Sequence, residues 1–210
     1  MALDLEEQEQ VAELKAWWQQ HGTLIVAVIV ALAVALAGWQ AWRWYQASQG
    51  TRAGALYDTV SRAAQAGDAK ALRDASGQLL ESYSGTLYAT MGALTAGRFY
   101  FDRNDLKNAK LQLEWAVEHS PSPEFRDLAR LRLAAVLFED KAYDEALREL
   151  DAQHGAAFDA QFAALRGDLL VAKNDAAKAR EAYKLALDKA DAGNAAFRES
   201  VRMRLEALGG

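Results

Sequence analysis

The residues best suited to metal ligation or proton transfer at neutral pH are the three histidines, His21, His119 and His154. None has a second ligand at metal spacing, and they read as exposed residues at helix breaks and at a membrane edge. Cysteine is absent, so no disulfide framework, thiolate zinc site or cysteine nucleophile is available. The carboxylates sit three or four residues from lysine or arginine, as Asp144 does from Arg148, which is the pattern of a solvated helix face. No glycine-rich phosphate loop, nucleophile elbow or paired-histidine motif occurs. The triplet Arg166-Gly167-Asp168 falls inside a helical pattern with Gly167 at a packing position, which argues against an adhesion signal. No catalytic residue, cofactor or metal site is expected.

The elements that carry these residues are helices. Proline occurs only twice in 210 residues, and alanine and leucine supply most of the apolar content. The formal net charge of −5 is uneven, because Asp4, Glu6, Glu7, Glu9 and Glu13 crowd the start against Lys15. The remaining chain is nearly neutral and offers no broad basic face, so nucleic acid is not an expected partner.

Residues 22–42 contain no charge, and the stretch TLIVAVIVALAVALAGW is apolar on every face. About 20 such residues cross a hydrocarbon core. Trp17 and Trp18 precede the stretch, whereas Trp39, Trp42, Trp44 and Tyr45 close it. From Trp18 to Trp39 is about 31 Å of helix at 1.5 Å per residue, which places both clusters at membrane interfaces. A cleavable export signal is the rival reading; the long acidic leader argues against it, since such signals begin short and basic. Orientation is thinly written: Arg43, Arg52 and Arg62 against Lys15 favour a C-terminal domain kept inside. The leader carries Val11, Leu14 and Trp18 at helical spacing, a face suited to contact with protein at the membrane surface, with a solvated juxtamembrane helix as the alternative. The expected organisation is an acidic segment 1–21, a transmembrane helix 22–42, a linker 43–50 and a repeat domain 51–210.

Beyond residue 50, helical patterns alternate with breaks near Gly67, Gly85, Asn104, Pro121 to Pro123, Lys141, Gly155, Asn174 and Gly193. A tetratricopeptide-like phase runs through them. Gly97 and Tyr100 are followed by Ala109, Leu113 and Ala116; Ala134 and Leu137 by Ala146 and Leu150; Gly167 and Leu170 by Ala179, Tyr183 and Ala186. The alanines Ala109, Ala146 and Ala179 recur at 37 and 33 residues. The small residues allow close approach of the paired helix, and the large ones fill the space between. Asp105 and Asp175 are placed to cap second helices, with Asp144 in a comparable role. Residues 51–84 form a divergent first pair, and 194–208 a terminal covering helix. The fold is therefore all-α: one N-terminal transmembrane helix followed by a tetratricopeptide-like α-solenoid of antiparallel helix pairs.

If first helices line the inner surface of the array, Met91, Leu94, Arg98 and Phe101 join Leu128, Leu131 and Phe138 in a groove for an apolar peptide. The alternative is that neighbouring helices fill it.

The chain resembles the YfgM family, the ancillary SecYEG translocon subunits, from end to end. The resemblance lies in the acidic start EEQEQVAELKAWWQQHG leading into the membrane helix, the GWQAWRWY exit, the SYSGTLYATMGAL opening of the repeats and the stretch RGDLLVAKNDAAKAREAY. It implies a cytoplasmic N-terminus, one inner-membrane helix and a periplasmic repeat domain, the reverse of the orientation that the charges favour. It also implies association with the SecYEG channel and the membrane-anchored periplasmic chaperone PpiD, acting on newly exported client proteins without catalysis. A scaffold for another envelope machine, such as cytochrome maturation or outer-membrane assembly, is the alternative function.

Overall fold

The computed structural model describes the backbone of residues 2–209 and the side chains of 10, 13–45 and 48–209. Val11 and the carboxylates of Asp4, Glu6, Glu7 and Glu9 therefore lie outside the described side chains. Every regular element among the described residues is helical. Two units are present, Met1–Gln49 and Gly50–Gly210.

The described residues of the first unit lie within helix α1 (Ala2–Ala66). From Leu24 to Leu36 its large aliphatic side chains are exposed, each of the nine leucine, isoleucine and valine residues in 22–42 being open except Ile25, which is half-buried. An apolar helix with no polar stripe and no buried stripe is unfavourable in water and favourable in hydrocarbon. It is long and apolar enough to cross a membrane.

The second unit pairs the last part of α1 and α2 (Ala69–Ser82), α3 (Leu87–Phe101) and α4 (Leu106–His119), α5 (Pro123–Glu139) and α6 (Tyr143–Asp151), and α7 (Asp159–Ala172) and α8 (Ala176–Lys189). A single 3₁₀ turn (Ala156–Phe158) precedes α7, and α9 (Ala195–Glu206) ends the series. Each helix packs chiefly on its chain neighbours, α3 on α4, α4 on α5, α7 on α8. This is the nearest-neighbour arrangement of a repeat array.

Helix starts follow local chemistry. The Asp68 carboxylate accepts from the amides of Lys70 and Ala71 at 3.0 and 2.9 Å. Asp105 and Asp175 each accept from the amide three residues on, at 3.2 Å. Hydrogen bonds hold both carboxyls below their ordinary pKa, the Asn108 side chain acting first on Asp105 and Lys178 first on Asp175. Ser122 caps α5, with Pro123 at its first position.

The pairs share one turn. Gly67, Asn104, Lys141 and Asn174 take φ of 75, 58, 60 and 61°. The following amide then donates to the carbonyl five residues earlier: Asp68 to Ala63, Asp105 to Tyr100, Ala142 to Leu137 and Asp175 to Leu170, at 2.9–3.0 Å. Asp144 departs from the expected capping role. Ala142 occupies the cap without a side-chain bond, and Asp144 forms an ion pair with Lys173 in the next repeat instead of Arg148.

The repeat residues lie in the interior of the array. Gly97, Tyr100, Ala109, Ala134, Leu137, Ala146, Gly167 and Ala179 are buried, and Leu170 is half-buried. A Cβ on Gly97 would lie 2.9 Å from Leu113 Cγ, and one on Gly167 would run into the Tyr183 ring. Two clusters form the core. The larger runs from Ala53 and Val60 of α1 to Leu169 of α7; the smaller joins Ala163, Ala164, Ala179, Tyr183, Ala186 and Val201.

Candidate functional site

The groove expected from the sequence is partly assembled. Leu94 is 4% exposed and belongs to the core. Leu128, Leu131 and Phe138 are half-buried against that same core, with the Phe138 ring 5.8 Å from that of Tyr143. Met91 is half-buried on α3, where its carbonyl accepts from the Thr95 hydroxyl at 2.8 Å. Arg98 and Phe101 are brought together, one turn apart at the end of α3.

They open onto a cavity of about 160 Å³ lined also by Gly97, Leu113, Arg132, Ala135 and Val136. Gly97 lets Leu113 approach the α3 backbone closely, and Ala135 contributes only a methyl group from α5. The walls are apolar apart from two guanidinium groups. Arg98 is exposed and its Nε donates to both carboxylate oxygens of Asp102 at 2.7 Å. Arg132 is half-buried and reaches only the Leu94 carbonyl, from Nη1 at 3.4 Å. No carboxylate pairs with it among the described residues, and burial followed by the Arg98 charge depresses its pKa.

Arg132, Ala135 and Val136 were not singled out by sequence reasoning. Arg132 is four residues after Leu128 and shares its face of α5, where 132, 135 and 136 line the cavity and 128, 131 and 138 pack against the core. An unpaired arginine between apolar neighbours was the available signal.

The aromatic residues flanking the apolar stretch are all exposed: Trp17 and Trp18 at one end, Trp39, Trp42, Trp44 and Tyr45 at the other. Trp18 lies over Gly22, where a Cβ would come within 3.0 Å of the indole. The Arg43 guanidinium sits 4.8 Å above the Trp39 ring, a cation–π contact that lets a charged head and an amphipathic ring share one level.

The histidines are dispersed. His21 stacks on Trp17 and His119 on Trp115. His154 is more enclosed than an exposed loop residue, 4.0 Å from the Phe162 ring and 3.5 Å from Asp159. No group of three metal-ligating side chains forms among the described residues.

The family described as tetratricopeptide repeat-like domain matches residues 15–210. The ancillary SecYEG translocon subunit of Haemophilus influenzae is 32% identical over 99% of this chain and 100% of its own length. Its counterpart in Neisseria gonorrhoeae is 28% identical over 99% of this chain and 100% of its own length. That of Escherichia coli is 27% identical over 96% of each. No solved structure matches the chain. A paired-helix array behind one lipid-compatible helix, matched along essentially its full length, places the chain in the tetratricopeptide repeat-like family of ancillary SecYEG translocon subunits.

Proposed function

We propose that this protein is a membrane-anchored interaction module, an ancillary subunit of the SecYEG translocon that works with a PpiD-like periplasmic chaperone on newly exported proteins. The carrying observation is the end-to-end similarity to relatives of that name. The physical features support it: one segment suited to lipid, a repeat array that presents side chains rather than a catalytic constellation, and an open apolar cavity at the end of α3. The role is binding, not catalysis.

In this reading residues 1–21 are cytoplasmic, 22–42 cross the inner membrane, 43–50 link, and 51–210 are periplasmic. Met91, Arg98, Phe101, Leu128, Leu131 and Phe138 border the client-binding face, with Leu94 buried in the core beneath it, and the tryptophans fix the depth of the anchor.

Photo-crosslinking in native membranes tests this directly. Probes replacing Trp18, Met91 or Leu131 should yield adducts with channel subunits from the membrane side, and with chaperone or client from the repeats. Adducts confined to cytochrome-maturation or outer-membrane assembly proteins would replace the reading. Because cysteine is absent, single cysteines introduced as Gln8→Cys and Ala192→Cys report sidedness. An impermeant maleimide should label only the latter in spheroplasts.

A further inference from the structure

The cavity between α3 and α5 has a property that plain helix packing does not supply. Arg132 is half-buried at its wall with one long bond to a carbonyl and no carboxylate. A partly desolvated charge without a counterion is costly, and in a folded protein it is ordinarily paired. Arg98, which lines the cavity from α3, adds a second positive charge and engages Asp102 only through Nε. The volume of about 160 Å³ is close to the ~150 Å³ of an apolar cavity that admits a benzene ring. Space for one large apolar side chain thus lies against excess positive charge.

We propose that this cavity receives a single phenylalanine- or leucine-sized side chain from an internal, extended segment of a newly exported chain, and that an Asp or Glu two residues away pairs with Arg132 and Arg98. In an extended segment, residues i and i+2 share a face about 7 Å apart, so one side chain enters while the carboxylate stays at the rim. The inference rests on the client-handling function proposed above. An internal segment is favoured over a chain end because an emerging polypeptide presents its interior before its carboxyl terminus exists outside the channel.

The test uses the full-length protein in nanodiscs and fluorescent heptapeptides blocked at both ends. The peptides carry a central Phe flanked at i±2 by Glu, the same Phe flanked by Lys, or a central Ser flanked by Glu. Fluorescence anisotropy should show binding of the first, with the other two weaker by about tenfold or more. Arg132→Gln should remove the Glu preference, and Ala135→Leu, which fills the cavity, should abolish binding of all three. Circular dichroism and melting identify any variant that misfolds, in which case Arg132→Met and Ala135→Val take its place.

Equal affinity for Glu- and Lys-flanked peptides overturns the proposal, as does unchanged binding in both folded variants. Binding only of a Phe-terminated peptide with a free carboxylate also overturns it, by assigning the cavity to chain ends. Co-purification of the same variants with the channel is read in parallel. Retained co-purification with flat peptide binding removes the cavity assignment alone, whereas failure of the wild-type protein to co-purify removes the translocon reading.

Discussion

The ring of Tyr183 lies directly against the backbone of Gly167, and its hydroxyl donates to the carboxylate of the next residue, Asp168, at 2.8 Å. Asp168 also pairs with Arg204 of α9 at 2.7 Å. One contact thus joins α7, α8 and the terminal helix. Burial and this bond raise the Tyr183 pKa above its ordinary value.

Gly167→Ala therefore meets two opposing effects. Alanine gains about 1 kcal/mol of helix propensity, but overpacking costs typically 1–3 kcal/mol, and the obstruction here is an aromatic ring held at both ends. The expected net loss is about 1–2 kcal/mol, seen as a melting temperature lower by roughly 3–6 °C. The control Gly77→Ala, where a Cβ meets nothing within 4 Å, should be neutral or stabilising.

The shared turn provides a stabilising counterpart. Lys141 holds a left-handed conformation that asparagine or glycine occupies in the other three turns, and Ala142 stands where aspartate caps the other pairs. Lys141→Asn with Ala142→Asp should raise stability by about 1–2 kcal/mol through relief of strain and a gained cap. Chemical denaturation should show a higher midpoint with an unchanged slope.

Acid and base should act on different groups where α4 meets the middle repeat. The Lys110 hydrogen bond at 2.9 Å lowers the Glu145 pKa, and the same bond raises that of Lys110. A depressed carboxyl contributes stability above its unfolded pKa, about 4.3, and loses it as pH falls through the lower folded value. A raised lysine contributes below about 10.4 and loses it as pH rises through the higher folded value. Glu149 has the opposite sign from Glu145, because burial raises its pKa. Its ionisation costs stability as pH climbs from about 4.3 through the folded value. Glu149→Gln should therefore raise the melting temperature at pH 7 and leave it nearly unchanged at pH 3.5, while Glu145→Gln lowers it at pH 7. Equal responses of the two variants to pH would contradict this assignment.

The anchor is open to arithmetic. Nine leucine, isoleucine and valine residues between 22 and 42 favour insertion by about 3–5 kcal/mol, and each central lysine opposes it by about 2.5–3.5 kcal/mol. Ile29→Lys alone should leave insertion near balance, and Ile29→Lys with Leu32→Lys should abolish it. Carbonate extraction should find the wild type in the pellet and the double variant in the supernatant.

Helix pairing and its phase were legible because Gly97, Ala134 and Gly167 answer a steric demand that repeats along the chain. Aspartate caps were legible where the carboxylate immediately precedes the helix, as at Asp105 and Asp175. Asp144 was not, since its partner Lys173 lies 29 residues away and the choice between it and Arg148 depends on how repeats stack. Arg132 escaped notice for a related reason. A charged residue in a helical pattern reads as solvated until a neighbouring helix covers it, and α3 does that only in three dimensions. His154 likewise acquires its enclosure from Phe162, across a loop.

The separate cluster around Tyr183 and Val201 gives the array a seam. Subglobal opening there would release α8 and α9 while the longer block from Ala53 to Leu169 stays closed. Amide protons of the last two helices should then exchange as one early group, and the far end of the array would loosen under load before the cavity beside Arg132 is disturbed.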